Sequence, residues 1–237
     1  MAKNKASIMN ISGILEFLRR LSQNNNREWF NEHKALYTES REYHFQLIEK
    51  LIMLLADFDT ELRHLKPQEC IFRIHRDLRF SQDKTPYKNH LGAFMTLGGK
   101  NNDRAGYYLH LQPDNCFITG GIWMPAAPQL KILRHSIIEN LDEFEDIIHA
   151  QSFRENFGTM DGRRLLTAPK GFPIDFPGMD YLKYKDYTAT HKLNSEETER
   201  SDFCEYIAGI FQQLYPLNRF LNYALDEHQE NKQLYNQ

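Results

Sequence analysis

Cysteine is scarce. The chain has three, Cys70, Cys116 and Cys204, far apart and without a CxxC pair. An odd, dispersed set excludes a disulfide framework and gives no structural zinc spacing; free buried thiols in a reducing compartment are the expectation. Long apolar runs are missing as well. The longest, Leu51 to Ala56, covers six residues, far short of the ~20 that cross a bilayer. The N-terminal Met1-Ala2-Lys3-Asn4-Lys5 carries charge with no apolar stretch behind it, so no signal peptide is read there. A surplus of positive charge is also absent. Lys and Arg total 29 against 32 Asp and Glu, a formal net charge of −3, which argues against a dedicated nucleic-acid or membrane-surface binder. There is no Walker loop, dinucleotide fingerprint, GxSxG elbow or HExxH pair. Internal repeats and low-complexity tracts are lacking too. What remains is a cytoplasmic, soluble protein.

The 237 residues are 41% hydrophobic and 13% aromatic, enough to bury a sizeable core. Ile11, Ile14, Leu15, Leu18 and Leu21 recur at helical spacing with Ser12 as a candidate N-cap. Asn26 is placed to cap the next helix, and Phe45, Ile48, Leu51, Ile52 and Leu55 continue the period. Near Cys70 the period becomes two. Ile71 to His75, Leu91 to Leu97, Tyr107 to Leu111 and Cys116 to Thr119 alternate, and the gaps Gly98 to Gly106 and Pro113-Asp114-Asn115 are too short for parallel crossovers. Helical spacing returns after Pro128. Asn194 and Ser195 open a last helical region that Pro216 is expected to interrupt. The reading is α+β: a central antiparallel sheet at about 70–122 with N-terminal and C-terminal helices packed on it. One domain is expected over 1–237. It comprises a helical layer at 10–58, the sheet, helices at 128–157, an irregular stretch at 158–192 and C-terminal helices at 194–228.

Residues 73–90 stand out. Arg73, Arg76, Arg79, Lys84 and Lys88 are opposed only by Asp77 and Asp83, a local charge of +3 in an acidic chain. A strand continuing from Ile71 would put Arg73, His75, Asp77 and Arg79 on one face and Arg76 on the other. Asp83-Lys84-Thr85-Pro86 is turn chemistry, which sets Lys84, Tyr87 and Lys88 on a loop. Arginine offers a planar fork of donors for carboxylate or phosphate. One reading is therefore an anion cradle of Arg73, Arg76, Arg79, Lys84 and Lys88, with Asp77 ordering the arginines and Tyr87 donating to the ligand. The other is a structural ion-pair network tying strand to loop. A third, nucleic-acid binding, has the acidic total against it. Asp77 is the acid–base candidate, with His75 and Tyr87 as alternates, but no reaction, cofactor or oligomeric state is assigned. A metal at His75, His90 and His110 is disfavoured, since scattered histidines on half-exposed strands are ordinarily satisfied without one. Tyr107, Tyr108, Phe117 and Trp123 are expected to be packing residues, and Gly120-Gly121 a bulge or tight turn.

The pattern Arg73-x-x-Arg76-Asp77-x-Arg79-Phe80-x-x-Asp83-Lys84-x-x-Tyr87 resembles the signature of an uncharacterised bacterial family, domain-of-unknown-function family 2461. Asn24 to Phe30, Gly120-Gly121-x-Trp123-x-Pro125 and Pro169-Lys170-Gly171 resemble it too, so the likeness extends over most of the chain. The resemblance implies no activity.

Overall fold

The computed structural model describes residues 11–234. Helices α1 (Ile11–Gln23), α2 (Arg27–Glu32), α3 (Lys34–Leu55) and α4 (Pro67–Cys70) precede strands β1 (Leu91–Met95), β2 (Gly106–Leu111) and β3 (Cys116–Ile122). Helices α5 (Ala127–Glu139), α6 (Leu141–His149), α7 (Gln151–Phe157) and α8 (Met179–Leu182) lead to β4 (Tyr187–Leu193), α9 (Ser195–Thr198) and α10 (Phe203–Leu234). The strands form one antiparallel sheet in the order β1-β2-β3-β4. The fold is α+β, as the change of period implies. The chain gathers into two compact units. One holds the chain up to Lys100, Tyr108–Ile118 and Lys192–Ala208; the other holds Asn101–Tyr107, Thr119–His191 and the chain from Gly209.

In the first unit α1 buries Ile11, Ile14, Phe17, Leu18 and Leu21, the stripe its spacing implies, and packs on α3. Each such side chain contributes about 1.5–3 kcal/mol when fully buried. The helix already begins at Ile11, so Ser12 lies inside it and caps nothing. Asn26 does cap α2, accepting from the Trp29 N–H at 2.9 Å. The inner face of α3 (Leu47, Ile48, Leu51, Ile52, Leu55) is buried, and this helix packs against β1. His44 is buried there with its Nε2 unpartnered, and burial lowers its imidazole to about 4, so it is neutral.

The alternation at Ile71 to His75 does not yield a strand. Only two isolated bridges form, Ile71 with Ala93 and His75 with Tyr87. Four steps on one side thus face six on the other, and a ladder cannot hold register across that mismatch. The alternation itself persists: Ile74 is buried, while Arg73 and His75 are exposed.

In the second unit Pro216 lies inside α10, which continues through it. A proline in a helix interior costs about 3 kcal/mol. Phe211, Leu214, Leu217 and Leu221, fully buried on both sides of it, offset that cost. The same helix carries a polar stripe at i, i+4 and i+8. Asn218 accepts from the Gly121 N–H at 2.8 Å and donates to the Gly106 carbonyl at 3.1 Å. Asn222 accepts from the Ala105 N–H at 2.8 Å, and Asp226 pairs with Arg104. Gly121 has φ +101°, and a Cβ there would fall 1.9 Å from the Tyr187 carbonyl oxygen. The glycine pair therefore admits close backbone approach, which the bulge expectation only partly describes.

The stretch 158–192 is irregular only in part, because it includes α8 and most of β4. In β4, Tyr187 and Ala189 are fully buried, and the Thr119 hydroxyl donates to the Ala189 carbonyl at 2.9 Å. Buried Asp186 accepts from the Arg163 guanidinium and from the Met124 N–H at 2.7 Å.

Asn218→Leu leaves a buried N–H and a buried C=O unpaired. A loss of about 2–5 kcal/mol in urea unfolding is expected; a change below about 0.5 kcal/mol would show that Asn218 does not hold these strands.

Candidate functional site

The motif loop is built in the first unit by an irregular ribbon. Phe72 N–H donates to the Gly92 carbonyl at 3.0 Å, Lys88 N–H to Ile74 at 2.8 Å, and Arg76 N–H to Pro86 at 3.0 Å. Between them the turn closes on itself. The Arg76 guanidinium, a quarter exposed, reaches the Asp83 carboxylate, the Thr85 hydroxyl and carbonyl, and Ser81 Oγ at 3.3 Å. Asp83 also accepts from the Thr85 N–H at 2.9 Å. That backbone bond, with Arg76 and the Thr85 hydroxyl, lowers its carboxyl to about 2. Arg79 is far more exposed. Its Nε and Nη2 clasp Asp77 at 3.0 and 2.6 Å, and its hydrogen bonds lower Asp77 to about 2. A carboxylate so stabilised is a poor proton acceptor near neutral pH. Lys84 donates to the Leu78 carbonyl at 3.0 Å.

Tyr87 anchors the loop through its backbone and its ring. It is buried, stacked on Phe30 with ring centroids 3.9 Å apart. Its N–H donates to Asn25 Oδ1 at 3.1 Å, and its carbonyl accepts from Asn25 Nδ2 at 2.9 Å. The Asn24–Phe30 stretch and the cationic motif thus meet in space. His75 points its ring toward the same pair, 5.3 Å from Tyr87 and 6.1 Å from Phe30.

Two cations are left over. Among the described residues Arg73, which is exposed, forms no hydrogen bond or ion pair, and Lys88 has no carboxylate partner. The Lys88 ammonium is half-buried and 5.4 Å from the Phe72 ring centroid. Burial first, and the nearby Arg73 charge second, push it below the ordinary lysine range. The structure thus divides the seven candidates. Arg76, Asp77, Arg79 and Lys84 are engaged within the loop, Tyr87 anchors it, and Arg73 and Lys88 remain unpaired.

Phe72 leads on to the sheet. Its ring meets Tyr108 edge-on at 6.2 Å. The Tyr108 hydroxyl is 3.0 Å from His110 Nδ1, and His110 Nε2 is 2.9 Å from Gln112 Oε1. As placed, the amide oxygen only accepts, so the neutral imidazole carries its proton on Nε2 and the tyrosine donates to Nδ1. His90 and His110 do come together, but their rings stack at 4.4 Å instead of converging on a point, and His75 is elsewhere. Among the described residues no group of three or more His, Cys, Asp or Glu could hold a metal. The cysteines are free and buried. Trp123 departs from expectation: it is 74% exposed, whereas Tyr107 is core.

An α+β architecture with a self-paired cationic loop joined to the N-terminal helices defines the class. The chain belongs to the conserved hypothetical protein family DUF2461, whose model matches residues 13–220. No curated protein and no solved structure matches it. Among the described residues no helix is long and apolar enough to cross a membrane.

Arg76 closes the loop through three residues, Asp83, Thr85 and Ser81, and Arg79 through one. Arg76→Met should therefore lower the melting temperature clearly more than Arg79→Met, whose exposed pair is worth little. Differential scanning fluorimetry of both variants checks this; the reverse order would contradict the assignment.

Proposed function

We propose that the protein binds a small phosphate- or carboxylate-bearing molecule at Arg73 and Lys88, on the loop shaped by Arg76–Asp83 and Arg79–Asp77. The observation that carries this reading is the pair of neighbouring cations, neither of them in an ion pair and one of them half-buried, with only the Arg73 charge felt by a carboxylate, Asp77, that Arg79 already holds. Withdrawing an ammonium from water is unfavourable, and a second cation beside it adds repulsion. An anion between them relieves both. Two cations suit a small ligand better than a nucleic-acid backbone, whose binding draws on many. Arg76, Asp77, Arg79 and Lys84 act here as the scaffold, with Tyr87 as its anchor. Three free buried thiols suit the cytoplasm.

The alternative, a purely structural ion-pair network with no ligand, is favoured at one place by the Arg76 contacts. Unfolding separates the two. At fixed ionic strength, phosphate should stabilise the wild type, by about 2.7 kcal/mol at a hundred times Kd. Lys88→Met and Arg73→Met should abolish that gain while leaving unliganded stability unchanged or higher. No phosphate effect on the wild type, with variants destabilised, would leave only the network.

A further inference from the structure

The unpaired cations border a tract of rings. Along β2, Leu109 and Leu111 are fully buried on one face, while Tyr108 and the neighbouring Phe117 of β3 are partly exposed on the other. Position 92 of β1 offers no side chain: a Cβ there would lie 2.5 Å from the Tyr108 hydroxyl. Tyr108 therefore extends across β1. Its ring is 5.9 Å from Phe117, and His110 stacks on Phe117 at 4.4 Å with planes 14° apart. At the other end Phe72 meets Tyr108, and Lys88 lies over Phe72. The rings follow one another from the cation to Phe117 without being coplanar: Phe72 meets Tyr108 at 65° and Tyr108 meets Phe117 at 46°. Burial lowers both His90 and His110 and raises Tyr108 to about 12. The tract is thus uncharged near neutral pH, and the charge sits at its Arg73–Lys88 edge.

We propose that the anionic group is carried on an aromatic or heteroaromatic ring, which packs against the exposed parts of the Phe72, Tyr108 and Phe117 rings while its charge meets Lys88 and Arg73. This rests on the anion site proposed above and specifies its ligand class. Ring-on-ring contact gains more than the buried area alone, and lost stacking typically costs several-fold to a hundredfold in affinity. The Tyr108 oxygen, its proton given to His110, keeps a lone pair for an N–H on the ligand.

Calorimetric titration of the intact chain with inorganic phosphate, phenyl phosphate and cyclohexyl phosphate tests this. Phenyl phosphate should bind roughly tenfold more tightly than phosphate, with cyclohexyl phosphate well behind it. In Phe117→Leu the phenyl advantage should shrink to within about twofold while phosphate affinity is unchanged, which also shows that the variant folds. Phe72→Leu should lose the same advantage. Equal affinity for phosphate and phenyl phosphate, or for the phenyl and cyclohexyl esters, overturns the ring assignment and leaves the anion site standing. No binding of any of the three overturns both. Tighter binding of a single-stranded oligonucleotide, falling steeply with salt, would replace the small ligand with nucleic acid.

Discussion

Asn25 satisfies both peptide groups of Tyr87, and Phe30 stacks on the ring of the same residue. This clamp is the constraint on which the cationic loop depends. The ion pairs within the turn are largely exposed and hold it only weakly on their own. Pinning Tyr87 fixes one leg of the ribbon, and the bridge to His75 fixes the other. With both legs fixed, Arg76 meets Asp83 and Thr85 without ordering a free chain. The entropy of loop closure has already been met elsewhere.

That pinning also decides which charges are left. Two carboxylates serve five cations. Asp83 goes to Arg76 and Asp77 to Arg79 by short-range geometry, and Lys84 finds a carbonyl. Arg73 and Lys88 lie on the legs of the ribbon and form no ion pair, although the Arg73 charge is near enough to Asp77 to help hold its carboxyl down. On the proposed function the loop would be scaffold and site at once, with the network and the ligand drawing on different residues of one motif.

Local physics was legible in the sequence. The α1 stripe, the Asn26 cap and the period-two runs of β1, β2 and β3 all follow from spacing. Asn194 caps as its position implies, although it opens the short α9 and not the long last helix. What was not legible depends on distant residues. Pro216 reads as a break because the leucines that hold α10 together are judged only in three dimensions. β4 is hidden by the glycine- and proline-rich segment before it, which draws Tyr187 to Thr190 into the loop reading although their residue types favour a strand. The anchoring of Tyr87 is hidden because Asn25 and Phe30, some sixty residues earlier, give no sign in the sequence that they will hold its backbone and ring. The failure of Ile71–His75 as a strand is a register mismatch, which alternation cannot disclose.

The central claim is that Arg73 and Lys88 are cations awaiting an anion. Nuclear magnetic resonance titration of the Lys88 ammonium tests it most directly, with the side chain isotopically labelled and phosphate present or absent at constant ionic strength. The account predicts titration below the ordinary lysine value of 10.5 in the free protein, because burial and Arg73 disfavour the charged form. Bound phosphate should raise that midpoint, since an adjacent anion favours the ammonium. A Lys88 midpoint that is ordinary in the free protein and unmoved by phosphate would contradict it.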